Sequence, residues 1–231
     1  MLAVYKRELK AYLHNVYGWL FMSVLLLFVG FMVFLENLMA GASYIEYALL
    51  MGEYALVLLV PVLCMRSMAE DRRNKTDLFY FSLPIKTSSV VLGKYFALLS
   101  VLALPCGVIA VYPILLGMFG TVNFAGAYSA ILFFFLLGAA LIAVCQFTSA
   151  LTDNLVVAAV LGVVAMLILL VLPLLDAIMP AEIFSFVAPF LHFEEAATYG
   201  LFNIRSLVLL LSYPVLFVFL TVATVDKKRL S

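Results

Sequence analysis

The chain has 231 residues, 67% of them hydrophobic and 11% charged, with 13 basic and 13 acidic side chains in formal balance. Soluble domains run about 45–50% apolar and about 25% charged, so a water-soluble globule with a single core is excluded and lipid is the expected solvent. A net charge of zero leaves no bulk field to attract nucleic acid.

The first segment, Leu2–Tyr12, places Leu2, Tyr5, Leu9 and Tyr12 at the spacing of one helical face beside Lys6, Arg7 and Lys10. That is the spacing of an amphipathic helix, whose basic residues are expected to enforce topology and touch anionic headgroups. A bilayer core takes about 20 apolar residues per helix. Six runs reach that length, at about 16–35, 47–65, 91–119, 127–151, 155–175 and 207–225. The first exceeds the core of a signal peptide, about 7–15 residues, and is expected to be a retained span. Pro105 and Pro113 are expected to interrupt the third. Gly138, Ala139, Ala140 and Ala143 give the fourth a small-residue surface for close packing. Asp153 and Asn154 occupy the turn before the fifth and are expected to cap it; secondary contact with a partner is their other candidate role. Between the fifth and sixth runs, about 176–206, apolar and acidic residues mix, and Pro180 and Pro189 are expected to break any helix. The prediction there is a re-entrant segment of short helices, tolerable only where protein or water covers the backbone.

Charge sets the orientation. Lys6, Arg7, Lys10, Arg66, Arg72, Arg73, Lys75, Lys86, Lys94, Lys227, Lys228 and Arg229 fall on one side of the six runs. The other side carries Arg205 with Glu36, Glu46, Asp176, Glu182, Glu194 and Glu195. The positive-inside rule assigns the basic side, and both termini, to the cytoplasm. The expectation is an all-α, multi-pass plasma-membrane protein: one domain over 1–231, six transmembrane helices and an N-terminal interfacial helix.

Missing motifs narrow the function. The chain has no GxxxxGK[ST] phosphate loop, no GxSxG elbow and no HExxH pair. Cys64, Cys106 and Cys145 each stand alone in an apolar run, which argues against zinc or redox chemistry. His14 and His192 fall on opposite sides of the membrane and cannot share a metal. No catalytic or metal site is expected. Glu53 is the one acid clearly inside an apolar run. It must face a helix interface, a wet cavity or the outer surface, so a pathway or gating role stands beside a late start of the second span. In the outer segment, His192, Glu194, Glu195 and Arg205 are expected to seat the chain by hydrogen bonds or an ion pair.

The most informative stretch joins the second and third runs. Glu70-Asp71-Arg72-Arg73-Asn74-Lys75-Thr76-Asp77 alternates in charge, then Leu78–Ile85 turns apolar and meets Pro84. Thr76 and Asp77 are candidate caps for a short amphipathic helix that Pro84 would stop. Such a helix could anchor at the interface or act as a lever in the cleft of a soluble partner, and the residues alone leave both open.

The pattern Glu70-x-Arg72-Arg73-x-x-Thr76-x-x-Phe79-x-x-x-Leu83-Pro84-Ile85, followed by Val91-Leu92-Gly93-Lys94, resembles the signature of ABC-2 type transporter permeases. Lys75 stands where that family usually has glycine. A second likeness, His192-Phe193-Glu194 with Gly200, Asn203 and Arg205, is to the gliding-motility-type branch, with Asn203 in place of aspartate. The resemblance implies a cytoplasmic coupling helix at Glu70–Ile85, Asp71 and Asp77 included, that meets a separate ATP-binding subunit. It implies two such subunits holding ATP and Mg, no cofactor on this chain, and a second copy or a paralogous permease. Membrane lipids and an accessory extracellular subunit are further candidate partners. The implied activity is export by alternating access. Two other classes are a nontransporting scaffold or sensor, and an ion-driven carrier, which would need embedded acids in several spans.

Overall fold

In the computed structural model of the protein, residues 1–39, 41, 44–74, 86–118, 120–177, 183–199 and 203–230 are described. All regular structure among them is helical: α1 (Leu2–His14), α2 (Val16–Val33), α3 (Ile45–Arg73), α4 (Thr87–Ile109), α5 (Tyr112–Leu116), α6 (Phe124–Leu151), α7 (Leu155–Val171), α8 (Ile183–Val187), α9 (Pro189–Tyr199) and α10 (Ile204–Leu230). A π-helical turn, Phe34–Met39, extends α2, and a 3-10 turn, Leu172–Ala177, follows α7.

Six helices are long and apolar enough to cross a membrane: Val16–Asn37, Ile45–Arg73, Thr87–Leu116, Phe124–Leu151, Leu155–Leu174 and Ile204–Lys227. They coincide with the six apolar runs, with two instructive differences. The second apolar run stops at Met65, yet α3 continues to Arg73. Hydropathy registers where a helix leaves hydrocarbon, whereas backbone hydrogen bonding continues into the polar zone. In the third, Pro105 sits inside an unbroken α4. The break falls at Ala110–Val111, and Pro113 lies in the first turn of α5, where its missing N–H has no helical partner to lose. Neighbouring helices let a membrane helix absorb an internal proline such as Pro105. Pro189 marks the break between α8 and α9 and takes the first position of α9, while Pro180 and Glu182 lie outside the described residues.

The bundle is built around α6. Its apolar window is 83% buried, against 17% for the fifth span and 22% for the sixth, so α6 is the axis and those two are mantle. It packs on α3, α4, α7, α9 and α10. Gly138, Ala139, Ala140 and Ala143 are all buried, and a methyl group on Gly138 would lie 2.6 Å from Leu102 of α4. With the first span, the mantle turns apolar side chains outward, among them Leu27, Phe31, Val160, Ile168, Val215 and Phe219. An exposed apolar belt of that extent suits lipid and not water.

α1 meets α2 at a tight elbow. Asn15 is extended, Trp19 Nε1 donates to the Leu13 carbonyl at 2.7 Å, and Gly18 is pressed against the Tyr12 carbonyl. Val4 of α1 touches Gly93, and Val222 of α10 lines an apolar groove with Leu92. The first helix and the last turns of the sixth span therefore lie at the same end of the bundle, beside the start of α4. Lys6, Lys10, Arg73 and Lys227 make this the basic end.

Candidate functional site: a braced basic end

The last two turns of α3 carry Glu70, Asp71, Arg72 and Arg73, all on the helix itself. Thr76, Asp77, Phe79, Leu83, Pro84 and Ile85, with Lys75 and Leu78, lie outside the described residues. The geometry therefore concerns the two roots of that segment, the end of α3 and the start of α4.

Lys94 is the centre of the site. It is 2% exposed, and its ammonium stands 2.5 Å from Asp71 Oδ2 and 3.6 Å from Glu8 Oε1. It also donates to the Ser67 carbonyl. Glu8 is itself buried and pairs with Arg7. Two cations and two carboxylates thus gather where α1, α3 and α4 converge. Burying one ammonium alone would cost several kcal/mol; the paired acids and the carbonyl make the position tenable. Tyr12, one turn after Glu8, donates to the Leu63 carbonyl at 3.5 Å. Its phenol is held well above its ordinary pKa by burial first, then by Cys64 and Glu8, so it remains a donor.

Three further contacts brace the same end of α3. Arg66 grips Glu70 with two hydrogen bonds, Nε to Oε2 at 2.6 Å and Nη2 to Oε1 at 2.5 Å, and its guanidinium lies 4.8 Å from the Tyr17 ring centroid. Ser149 of α6 accepts from the backbone N–H groups of Met68 and Ala69, both at 3.2 Å, and donates to the Met65 carbonyl at 3.3 Å. Arg72 reaches Asp153 at 3.6 Å. Of the two residues expected to cap α7, only Asn154 does so, its Oδ1 accepting from Val156 N at 3.0 Å; Asp153 instead ties the α6–α7 turn to α3. Lys94, Glu8 and Ser149 were not singled out from sequence as site residues. The available signal was a lysine inside the apolar run Val91–Ala97, whose burial requires a partner.

At the opposite end, Glu53 of α3 is 1% exposed, and its Oε2 has no hydrogen-bond partner. Its carboxyl lies beside that of Glu194 on α9. Glu53 is therefore packed at a helix interface. His192 is buried: Nε2 lies 2.8 Å from the Phe186 carbonyl, Nδ1 3.3 Å from Ser206 Oγ and 3.8 Å from Glu195 Oε2. A carbonyl can only accept, so Nε2 carries the hydrogen and Nδ1 takes the Ser206 hydroxyl. Phe193 packs on Phe134 with centroids 5.8 Å apart. Arg205 covers the Phe186 ring at 4.7 Å, which ties the start of α10 to α8. Among the described residues, no three histidine, cysteine or acidic side chains are grouped to hold a metal ion.

Residues 5–225 match the family model described as "ABC-2 family transporter protein". No curated protein matches the chain.

Proposed function

Because the chain belongs to the ABC-2 transporter family of membrane permeases, we propose that it is the transmembrane subunit of an ATP-driven exporter, working through a separate ATP-binding subunit. Members of this family are multi-pass membrane proteins that generally work with ATP-binding subunits and are not normally enzymes themselves. On this reading the whole chain is one membrane domain, its basic end and both termini face the cytoplasm, and Glu70–Ile85 carries the coupling contact with the ATP-binding subunit. Two permeases, identical or paralogous, enclose the path. Two ATP-binding subunits bind ATP and Mg below them. Their closure moves the coupling helices and switches access from the inner to the outer face. The segment containing α8 and α9 is the outer re-entrant element, and the likeness to the gliding-motility-type branch rests on 192–205 alone.

The observation that carries this reading is the brace at the roots of 75–85. A segment that merely anchors at the interface needs no connection to the core. Here the root residues Asp71 and Arg72 are tied to α4 and to the α6–α7 turn, so force applied to the segment reaches the spans. The same α3 helix carries Glu53 about 27 Å from Asp71, at about 1.5 Å per residue. A tilt of α3 would therefore move the Glu53–Glu194 contact at the far end, which makes Glu53 a gating residue. The test is affinity capture of the tagged chain from native membranes in mild detergent. An ATP-binding protein should co-purify near one copy per permease; capture without one would overturn the proposal.

A further inference from the structure

We infer that Lys94 is a positioning residue that pins the N-terminal helix α1 to the root of the coupling segment, so that α1 moves with α3 and α4 when the partner binds ATP. The inference rests on the coupling reading above and extends it to a helix outside the coupling segment.

The three elements at the pin come from distant parts of the chain. Glu8 belongs to α1, Asp71 to the last turn of α3, and Lys94 to the start of α4. The two roots of 75–85 are thus joined directly by the Asp71–Lys94 contact at 2.5 Å, and α1 is joined to them by Glu8 at 3.6 Å. Lys94 and Glu8 are 2% and 9% exposed, so water screens this connection little. Around the pin, Val4 meets Gly93 and Tyr5 Oη lies 2.9 Å from Ser100 Oγ. These contacts mark where α1 rests on α4. By themselves they resist sliding weakly, because one is apolar and the other is a single hydrogen bond between neutral hydroxyls. The ion pair resists sliding, since displacement would leave a buried ammonium and a buried carboxylate apart. At its other end α1 runs through the Asn15 elbow into α2, so a displaced α1 tilts the first span. The consequence is a second route for the stroke: from Asp71 through Lys94 and Glu8 to α1 and the first span.

A replacement link tests this. A Cβ on Gly93 would lie 3.1 Å from Val4 Cβ, close to the roughly 3.5–4.5 Å separation of bridged cysteines. The native cysteines are all buried, so a Val4→Cys/Gly93→Cys pair can be oxidised selectively in the purified complex. Glu8→Gln, in the complex with its ATPase, should keep the partner bound and lose ATP hydrolysis several-fold. Oxidising the added cysteine pair in the Glu8→Gln background should restore the wild-type rate, and reductant should abolish the rescue. In an otherwise native chain the oxidised pair should leave hydrolysis unchanged, an arm that does not depend on how well Glu8→Gln folds. Wild-type hydrolysis by Glu8→Gln, failure of the cross-link to rescue, or inhibition of the native complex by the cross-link would each overturn the inference. Failure to capture any ATPase would instead overturn the coupling reading on which it rests.

Discussion

The Lys94 ammonium lies 2.5 Å from the Asp71 carboxylate, joining the end of α3 directly to the start of α4. Removing one member of a buried pair costs about 3–5 kcal/mol, because the other is left charged and unpaired. Lys94→Ala should therefore lower the thermal melting point of the detergent-solubilised protein sharply. Lys94→Met combined with Asp71→Asn and Glu8→Gln should recover most of the loss, since uncharged replacements of similar volume are often tolerated. Restored melting without restored ATP hydrolysis would separate the structural part of the cluster from its coupling part.

Asp153 and Asn154 are adjacent and should behave differently. Asp153 is 74% exposed at its side chain, so Asp153→Asn should change stability by less than about 1 kcal/mol. Asn154→Ala removes the α7 cap and should cost about 0.5–2 kcal/mol. Melting curves of the two single variants check the order. If Asp153 couples to the partner, its variant will lower ATP hydrolysis while leaving the melt intact.

The elbow at Gly18 tolerates no side chain. A Cβ there would come 2.3 Å from the Tyr12 carbonyl oxygen, a backbone atom that cannot rotate away. Gly18→Ala should force α1 off α2 and cost about 1–3 kcal/mol. Because Trp19 donates across the same elbow and is the one tryptophan in the chain, its fluorescence in the isolated permease should shift in this variant. An unshifted spectrum with native melting would contradict the elbow geometry.

Glu53 opposes stability to function. Its Oε2 is buried without a partner and its neighbour is another acid. Replacing it by leucine removes an unsatisfied polar group, so Glu53→Leu should melt no lower than wild type. As a gating residue it should nonetheless be needed, and ATP-driven cycling of the complex should fall. A variant that melts lower and cycles normally would assign Glu53 a purely structural role.

The spans were readable because a membrane helix writes its length into one continuous apolar run, as in Leu155–Leu174. Asn154 was readable as a cap for an equally local reason: its side chain bonds two residues onward. The end of α3 was not, because charged residues after Met65 mark the edge of the hydrocarbon and not the end of the helix. Nor was the site's centre. Residues 8, 71 and 94 meet only through the packing of α1, α3 and α4, and no sequence period relates them. The contact of Arg205 with the Phe186 ring is likewise a product of packing that no local sequence signal announces.

The central claim is that a separate ATPase drives this chain through residues 70–85. The most direct measurement is ATP hydrolysis by the reconstituted complex, comparing wild type with Arg73→Ala, Thr76→Ala and Leu83→Ala at matched permease insertion. Hydrolysis should fall at least about tenfold, equivalent to roughly 1.4 kcal/mol of lost coupling, while the variants keep the wild-type melt. Wild-type hydrolysis in all three would contradict the claim and leave the segment as a membrane anchor.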